Sequence, residues 1–239
     1  MLLMIDLFVL MTAYYIIKPV RDSLILGSAG PEIKGYAGAA GALACLLAIP
    51  VYGKLATRLN RIRLINGVTG FFALNLVVFY ILGQLTISFG LLFFLWAGLF
   101  NLMLVAQFWS FTNDVYTQEQ GTRLFAIIGI GSSLGAIFGA GAGGRLFVWL
   151  GVYPMMLIAA GLLVVCMVLT NCVHRREGKS IRVPRPHQAL KPVGGFQLVL
   201  RHRYLLLIAL LILLSNVVTT TAEYILGKSV SEQANALAA

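Results

Sequence analysis

The chain has 239 residues, of which 59% are hydrophobic and 11% charged, with a mean hydropathy of +0.90 and a formal net charge of +10. A soluble domain is nearer a quarter charged, so this composition excludes an ordinary soluble protein. The basic excess does not point to nucleic acid, because Lys and Arg concentrate in short connections beside apolar runs, as the positive-inside rule describes for membrane proteins.

Only helices and closed barrels satisfy their backbone groups in lipid. No charged residue occurs from Leu64 through Asn113, nor in Leu124–Gly144, Leu146–Val173 or Tyr204–Ala222. Such unbroken apolar runs exclude the alternation of a barrel. Each is long enough for one or two spans of about 20 residues. The chain therefore reads as an all-α membrane protein. Helices are expected near 2–26, 33–56, 64–83, 88–113, 122–147, 152–173 and 204–226.

The first segment carries Lys18, Arg21 and Asp22 in the run Tyr14-Tyr15-Ile16-Ile17-Lys18-Pro19-Val20-Arg21-Asp22. It is not a signal peptide, since it lacks a basic n-region and has no small-residue cleavage site. The three charged residues fall at i, i+3 and i+4, on one helix face. Charge at membrane depth costs about 3 kcal/mol or more and is kept mainly where it works. If the helix ends near Ile17, Lys18 and Arg21 simply snorkel to the interface. Against that, Met1–Ile17 is at the short limit of a span, and the apolar run resumes at Leu24-Ile25-Leu26. In the buried reading Lys18 pairs with Asp22, and Arg21 keeps its planar fork for a carboxylate or phosphate. Pro19 leaves the Tyr15 carbonyl without its helical partner.

The 2–3 connection holds Lys54, Arg58, Arg61 and Arg63. In the fourth segment Asn101 and Gln107 are uncharged polar residues that either bond neighbouring helices or line a cavity. Asn113 and Asp114 end that segment, with Arg123 or the basic 2–3 connection as candidate partners. Thr117-Gln118-Glu119-Gln120 has the spacing of a capping box before the fifth segment. In that segment Gly131, Gly135, Gly139 and Gly143 recur every fourth residue, a stripe that lets another helix approach closely. The spacing around Gly129-Ile130-Gly131 is not that of a nucleotide-binding loop, and no strand precedes it. Cys45, Cys166 and Cys172 have no metal or redox spacing and read as small buried hydrophobes. Nothing in the sequence points to a cofactor, a metal site or a catalytic group: HExxH and the nucleophile elbow are both missing.

Residues 174–203 form a basic linker with Pro184, Pro186 and Pro192, expected to be cytoplasmic. It separates a six-helix transmembrane domain, 1–173, from 204–239, expected to be the first helix of a truncated second half. Thirteen Lys/Arg lie in the 2–3, 4–5 and 6–7 connections, against Lys34, Arg145 and Lys228 on the other side. That bias places the N terminus in the cytoplasm.

Two stretches resemble the major facilitator superfamily. Gly53-Lys54-Leu55-Ala56-Thr57-Arg58-Leu59-Asn60-Arg61-Ile62-Arg63 is similar to its basic 2–3 loop, with Thr57 in place of the usual acid and Asn60 in place of the second glycine. Six helices before a basic linker match one half of that fold. Within the superfamily, Lys18-Pro19-Val20-Arg21-Asp22-Ser23-Leu24, Phe108-Trp109-Ser110-Phe111-Thr112-Asn113-Asp114 and Arg123-Leu124-Phe125 resemble the ATP/ADP translocase (NTP/NDP exchanger) family. The resemblance implies alternating access between two six-helix halves in a bacterial inner membrane, with Arg21 as the first-helix basic residue implicated in substrate handling. Ala97 and Thr219 stand where those exchangers carry glutamates, while Asn101 and Glu223 lie one turn further on the same faces. The expected solute is thus a small anionic metabolite, with ATP and ADP as candidates. The expected site is Tyr14, Lys18, Arg21, Asp22, Asn101, Gln107 and Glu223, and the expected partners are lipid and the remaining C-terminal half. The competing reading is a seven-helix receptor. It has no mid-span lysine in the seventh segment for a retinal Schiff base, because Lys228 lies at its end.

Overall fold

A computed structural model of the chain describes residues 1–85, 88–116, 118–177 and 199–238, with side-chain surroundings left out at 29–32, 54, 56–58, 118–120, 122–123, 177 and 230–238. The described residues are all-helical. We label the helices α1 (Leu2–Arg58), α2 (Arg61–Gln84), α3 (Gly90–Val115), α4 (Gln118–Leu150), α5 (Val152–Glu177) and α6 (Arg203–Ala238). They contain seven candidate membrane spans, two of them in α1: Leu2–Ser28 and Ile33–Gly53.

The first two spans were expected as separate helices, and the structure joins them in one helical element of 57 residues. They nevertheless run antiparallel. Ser28 and Leu24 face Gly90 at the start of α3, and Asp6 lies near Phe108 and Phe111 towards its end. The second span runs the other way: Gly41 faces Leu95, and Tyr52 lies within electrostatic reach of Asp114. A straight 57-residue helix would be about 85 Å long and could not make both sets of contacts. The chain therefore turns back between Ser28 and Ile33. One end of the bundle, the basic end, carries Leu3, Tyr52, Arg61 and Asp114; the opposite end carries Ser28 and Gly90.

The other helices outrun their expected bounds. α2 begins at Arg61, α5 runs on through Arg175 and Arg176, and α4 reaches Leu150. Charge marks where a span leaves lipid and not where helical hydrogen bonding stops, because Lys and Arg are good helix formers. α4 and α5 are separated by Gly151 alone, at φ 76°, whose N–H donates to the Phe147 carbonyl at 3.1 Å. The left-handed conformation suits glycine and closes α4 with a C-terminal cap. Residue 117 and the linker segment 178–198 lie outside the described residues, as do the side chains of 118–120 and 123, so the capping box has no described geometry.

The first span is the hub. It packs against α3, α4 and α5, and α2 packs on α5. More than half of its most apolar stretch is buried, against none of that of α6. An aromatic ladder fills the α2–α3 seam, where Trp96 stacks between Phe93 (5.4 Å) and Phe100 (5.3 Å), with Phe72 and Phe79 edge-on. Offset and edge-to-face pairs of this kind add to the energy of burying their area. The glycine stripe of α4 lies on the backbone of the first span. Gly131, Gly135 and Gly139 face Met4, Phe8 and Thr12 in turn, one helical turn apart on each side. The apolar α6 leaves Leu207, Leu211 and Val218 exposed, and apolar surface of that kind is covered by lipid or by further helices.

Candidate solute-binding site

Helix α1 does not end near Ile17 but continues through Lys18, Arg21 and Asp22. The span Leu2–Ser28 has 27 residues, so its midpoint is Tyr15. At about 1.5 Å per residue, Lys18 lies within about 5 Å of the middle of that span. The charges are therefore set deep in the span. Pro19 is accommodated against α4, where a Cβ on Gly143 would lie 3.3 Å from the Tyr15 carbonyl oxygen and 3.8 Å from the Pro19 ring. The small residue leaves room for the carbonyl that proline deprives of its partner.

The pairing of the charges differs from the expected one. Lys18 does not pair with Asp22; its Nζ is 3.2 Å from Glu223 Oε1 on α6. Asp22 is taken by Arg21, whose Nε and Nη2 both donate to Oδ1 at 3.0 and 2.9 Å, and by Lys34 at 3.3 Å. Lys34 comes from the returning second span, which sequence spacing on one helix does not reveal. Arg21 is further held with its Cζ 4.9 Å above the Phe94 ring, a cation–π contact. Its fork is thus occupied, and it is the more enclosed cation: 13% of the Arg21 side chain is exposed, against 36% for Lys18 and for Glu223.

Tyr14 precedes Lys18 by one turn and stacks on Phe100 at 6.5 Å, with its edge towards Tyr15. Asn101 is half-buried beside Phe100, and no polar contact is described for it. It lies seven residues beyond Phe94, two turns along the same face of α3. Tyr14, Lys18, Arg21, Asp22 and Glu223 are therefore one neighbourhood, and Asn101 extends it along α3.

Gln107 does not belong to this group. Six residues past Asn101, it is rotated by about 120° around α3 and is 3% exposed. Its Nε2 donates to the Ile65 carbonyl at 3.2 Å. It lines a separate cavity of about 30 Å³ with Asp6, Thr69, Cys166 and Thr170 among apolar neighbours. Sequence reading passed over Asp6, which is 2% exposed and accepts a hydrogen bond from Thr170 Oγ1 at 2.8 Å. The available signal was a lone acid inside the apolar run Leu2–Ile17.

At the basic end Asp114 pairs with the 2–3 connection, as one of the two expected partners. Arg61 Nε lies 2.9 Å from Asp114 Oδ2, and Arg61 Nη2 donates to Ser110. The side chains of Lys54, Thr57 and Arg58 lie outside the described residues.

A family model described as Major Facilitator Superfamily matches residues 3–231. No curated protein matches the chain, and no solved structure does.

Proposed function

We propose that this chain, which belongs to the Major Facilitator Superfamily, moves a small anionic solute by alternating access, with Lys18 as its main anion-binding group. It is an integral membrane protein and a membrane transporter, and its apolar helices contact the lipid bilayer. The solute and the mechanism are our reading. One observation carries it: Lys18, near the middle of the first span, is paired at 3.2 Å with a carboxylate from the seventh span. The Glu223 carboxylate stands where a carboxylate or phosphate of the solute would sit. Both side chains are about one-third exposed, so an anion can displace Glu223 without extracting a fully buried ion. Tyr14 and Asn101 supply a ring face and an amide beside Lys18. Arg21, held by Asp22 and Phe94, adds positive potential to the pocket.

The exposed flank of α6 supports packing of a second half there, so that the two halves rock about this contact. The likeness of Lys18–Leu24 and Phe108–Asp114 to nucleotide exchangers makes ATP and ADP the first solutes to test. A cytoplasmic N terminus in a bacterial inner membrane completes the reading. The test is uptake of labelled nucleotides and simpler anions into vesicles carrying the protein. Lys18→Gln should abolish uptake while leaving membrane insertion intact. Wild-type rates in that variant would refute the anion-site assignment.

A further inference from the structure

The cavity behind the first span is built around a carboxyl group that the solute pocket does not use. Asp6 and Lys18 are twelve residues apart, about 120° around the helix, so Asp6 faces α2, α3 and α5 while Lys18 faces α6. Among the residues lining the cavity there is no Lys, Arg or His, and Cys166 is the other titratable group. The lining from α2 is Ile65 and Thr69, and that from α3 is Leu104, Gln107, Phe108 and Phe111; none of these can carry a balancing positive charge. An ionised carboxylate left without a counter-charge in such surroundings is strongly disfavoured. The hydrogen bonds point the same way. Thr170 donates to Asp6 Oδ2, and the Cys166 thiol lies against the same residue, with its Sγ 3.7 Å from the Asp6 carbonyl oxygen. Gln107 is oriented by its amide bond to the Ile65 carbonyl, and its buried Oε1 has no hydrogen-bond partner. That is an acceptor waiting for a donor.

We propose that Asp6 is a membrane-buried proton-binding site, its acid proton on Oδ1 directed to Gln107 Oε1 directly or through one water in the cavity. The cavity is large enough for a single water. The proton reaches it from the basic end. There a second cavity of about 210 Å³ is lined by Met1, Leu2, Leu3, Tyr116, Val173 and Arg176. Leu2 and Leu3 lie about one turn before Asp6, and Val173 lies about one turn after Thr170. Arg176 is the charged side chain at that mouth, and Met1 brings its α-amino group beside it. On protonation, hydronium gives its proton to Oδ1 and leaves as water; on release the proton returns to water by the same way.

The test is infrared spectroscopy on the chain in lipid vesicles, with titration across neutral pH. A carboxylic C=O band that shifts in heavy water is expected at pH 7 in the wild type. It should be absent from Asp6→Asn, an isostere of the neutral acid that should melt within a few degrees of the wild type. Gln107→Leu should keep the band and move it to higher frequency, which assigns the band even if Asp6→Asn folds poorly. Three results would overturn the proposal: no such band at pH 7, a band unmoved in Gln107→Leu, or a band that sodium ions abolish. The last would make the site one for a metal cation. None of these readouts depends on uptake, so they stand apart from the anion assignment.

Discussion

Gly139 of α4 lies so close to Thr12 of the first span that a Cβ on the glycine would sit 2.9 Å from both the Cα and the carbonyl oxygen of Thr12. Those atoms are backbone, so an added methyl group can be accommodated only by moving one helix. Gly139→Ala should therefore destabilise the protein by about 1–3 kcal/mol, the usual cost of overpacking. Gly141→Ala is the control, because nothing lies within 4 Å of its Cβ position. Thermal unfolding in detergent distinguishes them: a clear drop in Tm for Gly139→Ala and little change for Gly141→Ala.

The Lys18–Glu223 pair should matter more to transport than to stability. With both side chains about 36% exposed, the pair is worth about 0.2–1 kcal/mol after solvent screening. A contact of that strength opens readily, as a pair that yields to solute must. Glu223→Gln should change thermal stability by less than about 1 kcal/mol while increasing affinity for an anionic solute, because it removes the competing carboxylate. Equilibrium binding on the purified chain reads the affinity. Unaltered affinity would show that Glu223 does not compete.

The parts legible in the sequence were those that depend on local composition. Leu146–Val173 or Tyr204–Ala222 reads as a span from length and apolarity alone, and the shared face of Lys18, Arg21 and Asp22 follows from helical periodicity. Glycines every fourth residue in α4 announced a close neighbour, which the structure identifies as Met4–Thr12. Periodicity names a face but not the helix it meets. Lys34 reaches Asp22 only because the second span folds back beside the first, and Glu223 reaches Lys18 from more than two hundred residues away. The same limit separated Gln107 from Asn101: both are polar residues of α3, yet they point to different neighbours. Asp6 drew no reading from the sequence, because its partner Thr170 is 164 residues distant.

Asn66 and Asn171 exchange two amide hydrogen bonds, at 3.1 and 2.9 Å, and clamp α2 to α5. Membrane side-chain hydrogen bonds measured by double-mutant cycles average about 0.6 kcal/mol. Asn66→Ala and Asn171→Ala should each cost about that much. The double variant should cost less than their sum, because the second substitution removes an interaction already lost. Additive losses would mean that each amide is held chiefly by other groups, such as the Met167 carbonyl that also accepts from Asn171.

Charge distribution gives an orientation that is cheap to check. With thirteen Lys/Arg in connections on one side of the membrane and three on the other, a fusion reporter at residue 1 should be active only in its cytoplasmic form. Activity of an exported reporter there would invert the topology and place the Asp6 proton path on the outer face.

Arg61 joins two helices at the basic end, bonding Asp114 and Ser110 of α3 from the first residue of α2, with Tyr52 of the second span nearby. The Arg61 side chain is 33% exposed and that of Asp114 40%, so their attraction is screened and contributes at most about 1 kcal/mol. Arg61→Lys keeps the charge but loses the fork that reaches both partners at once. It should fall between the wild type and Arg61→Ala in thermal stability. Asp114→Asn should cost about as much as Arg61→Ala, and combining the two should add little. Raising salt from about 0.1 M to 1 M, which shortens the screening length from about 10 to 3 Å, should shrink the wild-type advantage over each variant. Melting curves at the two salt concentrations supply the comparison. A difference insensitive to salt would assign the contribution of Arg61 to its hydrogen bond with Ser110 and not to its charge.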